Sequence, residues 1–331
     1  MGAGVIARTH IGLLADVAGI DVVAVCDPIL ERAGAAAAGA VPYADWEAML
    51  ETERPDAVFV CSPPGSHAPA VLGALARAIP VYVEKPLART LADGLAIVAA
   101  WEAAGCVCAV GYQWRSLDVV AAAREALAGS PPGLLVSRSY GPTEPARADL
   151  AGAAAGSWFT DPRQSGGILF ELASHDIDLQ LALAGRVDSV QASAAAGRLA
   201  LAGRDPMGLH DTVSLIMRFS GGGIGAVHAG WTGEGSRPVY ALDVLAADVT
   251  LALALDPDFR LRGRAGGREV DVADTVDARR RSQTRFLEAA ARGTPDAVAC
   301  TPRDALGTLA VALACETAIA TSQEVRVPRL S

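Results

Sequence analysis

The chain of 331 residues is long enough for two domains, each with a substantial hydrophobic core. Its 51% hydrophobic and 20% charged residues are typical of a globular protein, and its formal net charge of −9 argues against a nucleic-acid or anionic-membrane partner. No uncharged apolar run reaches about 18 residues, and no signal peptide is recognisable, so neither a membrane span nor secretion is expected.

The first motif is Gly2-Ala3-Gly4-Val5-Ile6-Ala7, which fits the G-x-G-x-x-A pattern of a dinucleotide-binding turn. The first glycine permits the tight turn, the second lets a pyrophosphate approach the backbone, and the following helix N-terminus attracts its charge. Asp27 follows the next apolar strand, where a carboxylate can bind the ribose 2′-hydroxyl and repel a 2′-phosphate. These residues predict binding of NAD in preference to NADP.

The strand that leads into such a turn is central in the sheet order 3-2-1-4-5-6. Here the turn begins at Gly2, so no residues remain for that strand. Because losing a central strand leaves buried backbone groups unpaired, we expect that Met1 is not the natural start. The alternative is a truncated chain whose function has decayed.

Apolar strands alternate with helical stretches over the first 117 residues. The predicted strands are residues 21–26, 57–60, 81–83 and 107–110, and the clearest helices are residues 68–78 and 91–104. This alternation indicates a parallel, doubly wound sheet whose ligands bind beyond the carboxyl ends of the strands. We therefore predict a dinucleotide-binding domain over residues 1–117.

Lys85 is the sole lysine among 28 Lys and Arg residues. The abundance of alanine and glycine and the absence of asparagine indicate a GC-rich genome, in which arginine replaces lysine wherever a generic positive charge suffices. Because lysine can lose its proton and arginine cannot, a retained lysine indicates a site with specific chemistry. The alternative is chance retention at the surface.

The six cysteines are scattered along the chain. Cys106 and Cys108 are close together, but they occupy alternate positions of a predicted strand, and no second Cys/His pair completes a metal site. We therefore expect no bound metal, and a reducing cytoplasm fits best.

After residue 117 the pattern changes to longer strands joined by Gly-rich turns. The predicted strands are residues 212–219, 224–231, 240–245 and 249–255, and the predicted helices are residues 118–128, 166–185, 281–292 and 303–320. Short turns between successive strands predict a largely antiparallel sheet. Residues 118–331 are therefore predicted to form a second, α/β domain.

The motifs resemble, in order and spacing, those of the Gfo/Idh/MocA oxidoreductases. The matching positions are residues 2–7, 26–28, 61–67, 84–86, 111–115 and 165–167, followed by Glu171, His175 and Asp178. The resemblance covers essentially the whole chain. It implies a Rossmann domain, a second domain with an open-faced sheet, a nicotinamide cofactor, and sugar, cyclitol or related polyol substrates.

The resemblance also implies individual roles. Lys85 would bind the substrate hydroxyl oxygen and stabilise a developing alkoxide, while His175 would take the hydroxyl proton as hydride leaves the same carbon. Glu171 precedes His175 by four residues and would share its helical face, where many relatives have aspartate. That difference leaves the substrate subclass open. Asp178 is expected to have a structural hydrogen-bonding role.

Further residues are assigned by the same resemblance. The predicted cofactor site also includes Ser62, Pro63, His67, Glu84, Lys85 and Arg115. Arg115 is alternatively a substrate ligand or a bridge between the domains, and Trp158 with Phe159 is expected to wall the substrate pocket. His10, His210 and His228 are expected to be ordinary polar or packed residues.

The sequence therefore predicts an NAD-dependent dehydrogenase that acts on a secondary alcohol of a small polyol, sugar or cyclitol. We expect a cytoplasmic homo-oligomer, a dimer or tetramer, formed through the sheet of the second domain. Two alternatives are a non-catalytic NAD-binding regulator on the same fold and a redox-neutral, NAD-dependent glycosidase. The presence of both Lys85 and His175 favours the dehydrogenase, because a regulator has no use for them.

Overall fold

A computed structural model describes residues 1–142, 158, 161–196, 210–232 and 236–330. The chain divides into two units: unit 1 comprises Met1–Gly111 and Ser282–Arg303, and unit 2 comprises Tyr112–Arg281 and Asp304–Ser331. The boundary predicted after residue 117 lies inside unit 2. The return of residues 282–303 to unit 1 was not predicted, since helical periodicity does not show which core a helix packs against.

Unit 1 alternates helices with short parallel strands. Its elements are α1 (Val5–Leu14), β1 (Ala24–Cys26), α2 (Leu30–Ala36), β2 (Val41–Tyr43), α3 (Trp46–Glu53), β3 (Val58–Val60), α4 (His67–Leu75), β4 (Val81–Val83), α5 (Leu91–Ala104) and β5 (Cys108–Val110). β1 pairs with β2, and β3, β4 and β5 pair in that order, all in parallel. The predicted doubly wound α/β architecture is confirmed.

A groove separates the two sheets of unit 1. Their combined order, β2-β1, then β3-β4-β5, is the dinucleotide-fold order without its first strand. Met1 and Gly2 lie at one end of the groove. The Met1 N–H donates to Phe59 O (2.8 Å), the Cys61 N–H donates to Met1 O (2.7 Å), and the Gly2 N–H donates to Cys26 O (2.7 Å).

The groove has a volume of about 750 Å³. Residues 21–25 line one side and residues 55–59 the other, and Ile11, Leu14, Met49 and Leu287 are among the side chains that face it. Five residues on each edge match the length of one strand. The groove therefore lies where the fold order requires its first strand.

Aromatic contacts join residues 282–303 to the parallel sheet of unit 1. The Phe286 ring lies 5.4 Å from that of Phe59 and 5.6 Å from that of Tyr82, and Phe286 is fully buried. Ala289, also buried, packs in the same cluster. This apolar contact explains why the segment belongs to unit 1 although it follows unit 2 in the chain.

Unit 2 contains a nine-stranded mixed sheet. Its elements are α6 (Asp118–Ala126), β6 (Leu134–Pro142), α7 (Pro162–Ser165), a π-helical turn (Leu169–Ala173), α8 (Ser174–Ala184), β7 (Val187–Ala196), β8 (His210–Phe219), β9 (Ile224–Thr232), β10 (Val239–Leu245), β11 (Val249–Asp256), β12 (Phe259–Ala265) and β13 (Arg268–Asp274). The chain ends with α9 (Ala278–Arg292), α10 (Pro302–Thr321) and β14 (Val325–Arg326).

The strands of this sheet are ordered β13-β12-β11-β10-β6-β9-β8-β7-β14. β6 and β9 are parallel, and the other neighbouring pairs are antiparallel, so the prediction of a largely antiparallel sheet is confirmed. The crossover that makes β6 and β9 neighbours carries α8, the helix that bears His175.

Among the described helices, α10 is long and apolar enough to cross a membrane by length and composition alone. Of its most apolar window, 56% is buried inside the protein. Leu306, Leu309 and Val311 are each only 1% exposed. A helix that is apolar on most faces and packed in this way has the character of a core helix.

Candidate functional site

The glycine-rich turn and the start of α1 provide an anion-binding feature in unit 1. Gly2 has a φ of +88°, and a Cβ there would lie 2.7 Å from the carbonyl of Cys61, so only glycine fits. A Cβ at Gly4, the N-cap of α1, would meet nothing within 4 Å. The first turn of α1 contains no acidic residue and its N-cap has no side chain to bond. The unpaired N–H groups of this turn, which includes Val5 and Ile6, therefore fit a pyrophosphate.

Asp27 lies beside this turn. Its Oδ2 accepts a hydrogen bond from the Ala3 N–H, and its Oδ1 accepts one from the Ile29 N–H, both at 3.0 Å. The side chain is only half-buried. A fixed carboxylate next to the glycine-rich turn has the position and charge needed to bind a ribose hydroxyl group.

The loops after β3 and β4 lie at the same edge of their sheet, because both follow parallel strands. Ser62 and Pro63 follow β3, while Lys85 follows β4 and is joined to Pro86 by a cis peptide bond. This edge is where open parallel sheets bind ligands. Lys85 is partly exposed there.

His67 holds these two loops together. Its Nδ1 lies 2.9 Å from Pro86 O, and its Nε2 lies 2.8 Å from Ser62 O. The residue is fully buried, and burial lowers the pKa of His67 below its usual range. Both ring nitrogens of His67 therefore face backbone carbonyl groups, and the contact of His67 with a cofactor stays a prediction.

Glu84 precedes Lys85 and is only 7% exposed. Its Oε1 lies 2.8 Å from His10 Nε2, and its Oε2 accepts a hydrogen bond of 3.1 Å from the Lys85 N–H. Glu84 therefore contacts the backbone of Lys85 from inside unit 1. The pairing of His10 with Glu84 was missed, because the two residues are 74 positions apart in the sequence and no local pattern links them.

In unit 2, aromatic rings pack around His175. The imidazole centroid lies 5.7 Å from the ring of Tyr112, edge-on, and 5.1 Å from that of Trp114. Glu171 is in the π-helical turn that immediately precedes α8, and His175 is the second residue of α8. π-helical turns are frequent at functional sites, where they change the direction of a side chain.

Asp178 and Arg115 form a buried ion pair one turn further along α8. Arg115 Nε lies 2.7 Å from Asp178 Oδ2 and Nη2 lies 2.9 Å from Oδ1, with side chains only 4% and 2% exposed. Thr308 donates to Asp178 Oδ1 (3.0 Å), and Arg115 Nη1 lies 3.2 Å from Asp304. The expected structural role of Asp178 agrees with this geometry. The guanidinium of Arg115 therefore holds α8, and the cofactor and substrate roles of Arg115 stay predictions.

Asp176, the residue after His175, is fully buried against β6. Burial raises the pKa of its carboxyl group to about 7, and the hydroxyl groups of Ser139 and Ser137 oppose that rise. Gln180, one turn later, donates to Ser137 Oγ at 2.9 Å. This polar cluster was not predicted, because a buried carboxyl group has no local sequence signal.

The structure describes some of the remaining predicted residues and not others. Trp158 is half-buried, whereas Phe159 lies outside the described residues. His228 Nδ1 lies 3.0 Å from Ser214 Oγ on the neighbouring strand. The described residues contain no group of three or more His, Cys, Asp or Glu side chains that could hold a metal ion.

Family models match both units. Residues 1–112 match the model described as "Oxidoreductase family, NAD-binding Rossmann fold", and residues 136–267 match the "GFO/IDH/MocA C-terminal domain". The first match agrees with the glycine-rich turn and Asp27. The second match covers most of the nine-stranded sheet.

Two named relatives are sugar or cyclitol dehydrogenases. D-apiose dehydrogenase of Paraburkholderia graminis is 28% identical over 284 residues, which is 82% of this chain and 71% of that protein. Inositol 2-dehydrogenase of Streptomyces avermitilis is 39% identical over 104 residues, only 30% of each chain. The inositol dehydrogenase match is thus local.

Solved structures share the fold over nearly the whole chain. Levoglucosan dehydrogenase in complex with NADH and L-sorbose has a TM-score of 0.82 at 18% identity and covers 99% of this chain and 98% of its own. The WlbA dehydrogenase of Bordetella pertussis, in complex with NADH and UDP-GlcNAcA, has a TM-score of 0.79 at 23% identity, covering 99% and 98%. At these identities the likeness establishes the fold alone.

Proposed function

Because the chain belongs to the Gfo/Idh/MocA oxidoreductase family, we propose that it is an NAD-dependent dehydrogenase of a sugar, cyclitol or related polyol. The reaction is a reversible hydride transfer between NAD and a secondary alcohol or ketone. Two dehydrogenases similar in sequence act, by their names, on D-apiose and inositol, which are polyhydroxylated substrates of this class.

The observation that carries this proposal is the position of Lys85. The sole lysine of the chain follows β4 at the ligand-binding edge of the parallel sheet, and the carboxylate of Glu84 contacts its backbone. We assign to its ammonium group the binding of the substrate hydroxyl oxygen. A fixed positive charge there stabilises the negative charge that develops on that oxygen.

His175 is proposed as the acid/base. In the oxidation direction the hydroxyl proton moves to the neutral imidazole while the hydride leaves the same carbon, so the products are a ketone, a reduced cofactor and an imidazolium ion. NAD supplies the hydride acceptor when it is bound. Glu171, in the π-helical turn before α8, is proposed to orient His175 or to bind a substrate hydroxyl group. Trp158 is proposed as a wall of the substrate pocket.

Asp27 supports a preference for NAD over NADP. A carboxylate held beside the glycine-rich turn by two backbone N–H groups would repel a 2′-phosphate. Comparing kcat/KM for the two cofactors tests this proposal. A preference for NADP would contradict it.

The function itself is tested by a screen of sugars, inositols and other polyols that follows NADH absorbance. We expect reduction of NAD with at least one polyol, and reduction slower by about 10²-fold with the Lys85→Arg variant. Substrate consumption without net NADH would indicate a redox-neutral enzyme. Tight NAD binding with no turnover across the panel would indicate a regulator.

We further propose a cytoplasmic homo-oligomer, a dimer or tetramer, formed through the sheet of unit 2. Leu134, Ile224 and Leu245 are 38%, 38% and 42% exposed, and Leu134 is directly opposite each of the other two on neighbouring strands. Adjacent exposed apolar side chains support an interface with a second copy. All six cysteines are free thiols, which agrees with a reducing compartment. Light scattering on the wild type and on Ile224→Asp tests the oligomer.

A further inference from the structure

His10 is buried in unit 1 on the helix that begins at the glycine-rich turn. It is only 1% exposed, and its ring packs against Phe59 and Tyr82 with centroid distances of 5.5 and 5.3 Å. Its two nitrogens have different partners: Nε2 lies 2.8 Å from Glu84 Oε1, and Nδ1 contacts the side-chain amide of Gln283. A buried histidine bonded through both nitrogens links three segments of the chain.

The direction of these bonds follows from the chemistry of the groups. The Gln283 Nε2 amide group can only donate, so Nδ1 of His10 is the acceptor. The ring proton is then on Nε2 and points to the Glu84 carboxylate. His10 therefore supplies a donor to a buried carboxylate, and Gln283, which is fully buried, fixes the tautomer.

Glu84 transmits this arrangement to Lys85. While Oε1 is held by His10, Oε2 accepts the backbone N–H of Lys85 at 3.1 Å. The carboxylate is also enclosed from the side of Gly111, where a Cβ would lie 3.0 Å from Oε2. His10 holds Oε1, and Oε2 accepts the Lys85 N–H. The orientation of the Glu84 carboxylate therefore influences the position of the Lys85 backbone, and with it the position of the lysine side chain.

We propose that His10, oriented by Gln283, is a positioning residue for Lys85 and acts through Glu84. The expected effect on the position of Lys85 follows from these contacts alone. The expected effect on kcat also rests on the proposed catalytic role of Lys85. It couples α1, whose N-terminus is proposed to bind the cofactor phosphates, to the loop that carries the lysine. The cofactor site and the lysine are therefore mechanically connected inside unit 1.

Because Lys85 is the sole lysine, a change in the surroundings of its side chain can be followed through one NMR signal. Protein without a lysine-containing tag, labelled with [13Cε]lysine, gives one lysine cross peak in an NMR spectrum. The variants are His10→Phe, which keeps an aromatic ring but removes the donor, and His10→Gln, which can place an amide N–H near the position of Nε2. Leu14→Ala is the matched control, since Leu14 is a buried residue of the same helix one turn later.

We expect the lysine peak to move by more than its linewidth in His10→Phe, and to stay near its wild-type position in His10→Gln and Leu14→Ala. An unmoved peak in folded His10→Phe, or an equal movement in Leu14→Ala, would overturn the proposal. If His10→Phe does not fold, Gln283→Met removes the partner of Nδ1 while leaving the imidazole in place. The same movement is expected there, and an unmoved peak is again decisive against the proposal.

The kinetic expectation is a loss of kcat of about 10²-fold in His10→Phe, since a shift of a reacting group by roughly 1 Å has an effect of this size. The KM for the substrate and the affinity for NAD should change by less than about twofold, and His10→Gln should recover most of kcat. Normal kcat in a His10→Phe protein whose lysine peak has moved would refute the role of Lys85 in the proposed function. An unmoved peak would refute the positioning role, whatever the activity.

Discussion

Because a groove lies between β1 and β3, we predict that five apolar residues joined to the amino end of Met1 will stabilise unit 1. Five residues in a strand span about 17 Å, and residues 21–25 and 55–59 line the two sides of the groove. The carbonyl oxygen of Cys26 already accepts a hydrogen bond from the Gly2 N–H, and that of Phe59 accepts one from the Met1 N–H. Cys26 and Phe59 therefore present backbone groups to the groove. An added strand that continues from Met1 would extend both ladders in parallel.

The size of the effect follows from what the strand gains and loses. Its backbone hydrogen bonds contribute about 1 kcal/mol each, which roughly offsets the 1–2 kcal/mol needed to order each residue. Burying each Val or Ile side chain adds about 1.5–3 kcal/mol, less about 1 kcal/mol of rotamer entropy. Since area-based values are upper estimates, we expect a net gain near the low end of this range, about 3 kcal/mol, or roughly 10 °C in Tm.

The assay compares the 331-residue chain with two extended forms, one carrying five additional Val/Ile residues before Met1 and one carrying five additional Gly/Ser residues there. Thermal unfolding should favour the apolar form, and hydrogen exchange at the Cys26 and Phe59 amides should slow only in that form. A Tm no higher than that of the Gly/Ser form, with equal exchange, would refute the idea that the groove accepts a strand.

Two further predictions concern single side chains. Lys85→Arg should fold and bind NAD yet lose about 10²-fold in kcat, as for removal of an oxyanion-type donor; steady-state kinetics with NADH detection would contradict the assignment if turnover were near normal. Asp178→Ala should lower the free energy of unfolding by about 3–5 kcal/mol, because it removes the buried partner of Arg115; a loss below about 1 kcal/mol in urea denaturation would show that the pair does not anchor α8.

Elements with local signals were predictable from the sequence. α5 begins and ends as predicted, because the Thr90 side chain accepts the Asp93 N–H at its start and Gly105, with a φ of +62°, ends it. β4 also matches, since a fully buried parallel strand reads as a continuous apolar run. Its carboxyl end carries the Glu84-Lys85-Pro86 motif, so this part of the candidate site could be located before the structure.

Other features depend on pairing across long sequence separations. β2 contains a proline and is exposed, so it does not resemble an isolated strand, and its pairing with β1 defines it. β12 alternates arginine with small or apolar residues, and β13 alternates mostly acidic residues with apolar ones; this period-2 pattern is typical of half-buried strands, but it was not recognised as two strands. The contacts of His67 and Arg115 also depend on the fold. The family motif locates both residues in the sequence, but only the structure shows that the ring nitrogens of His67 contact backbone carbonyl groups and that the guanidinium of Arg115 contacts Asp178.

From the raised pKa of the Asp176 carboxyl group, we predict that the stability of unit 2 depends on pH between about 4 and about 7. Burial raises the pKa of this carboxyl group from 3.8 to about 7, so the folded state binds a proton more tightly than the unfolded state does. Its contribution is therefore fully present below the unfolded pKa and is lost as pH rises through the folded pKa. At about 1.4 kcal/mol per pKa unit, the loss is up to about 4 kcal/mol.

Urea denaturation of the wild type and Asp176→Asn from pH 4 to pH 8 measures this loss of stability. The variant keeps a neutral side chain of the same shape, so we expect it to be the more stable protein at pH 8 and to lack this part of the pH dependence. Parallel stability profiles for the two proteins would show that Asp176 is already ionised in the folded state at low pH, with Ser137 and Ser139 outweighing the effect of burial.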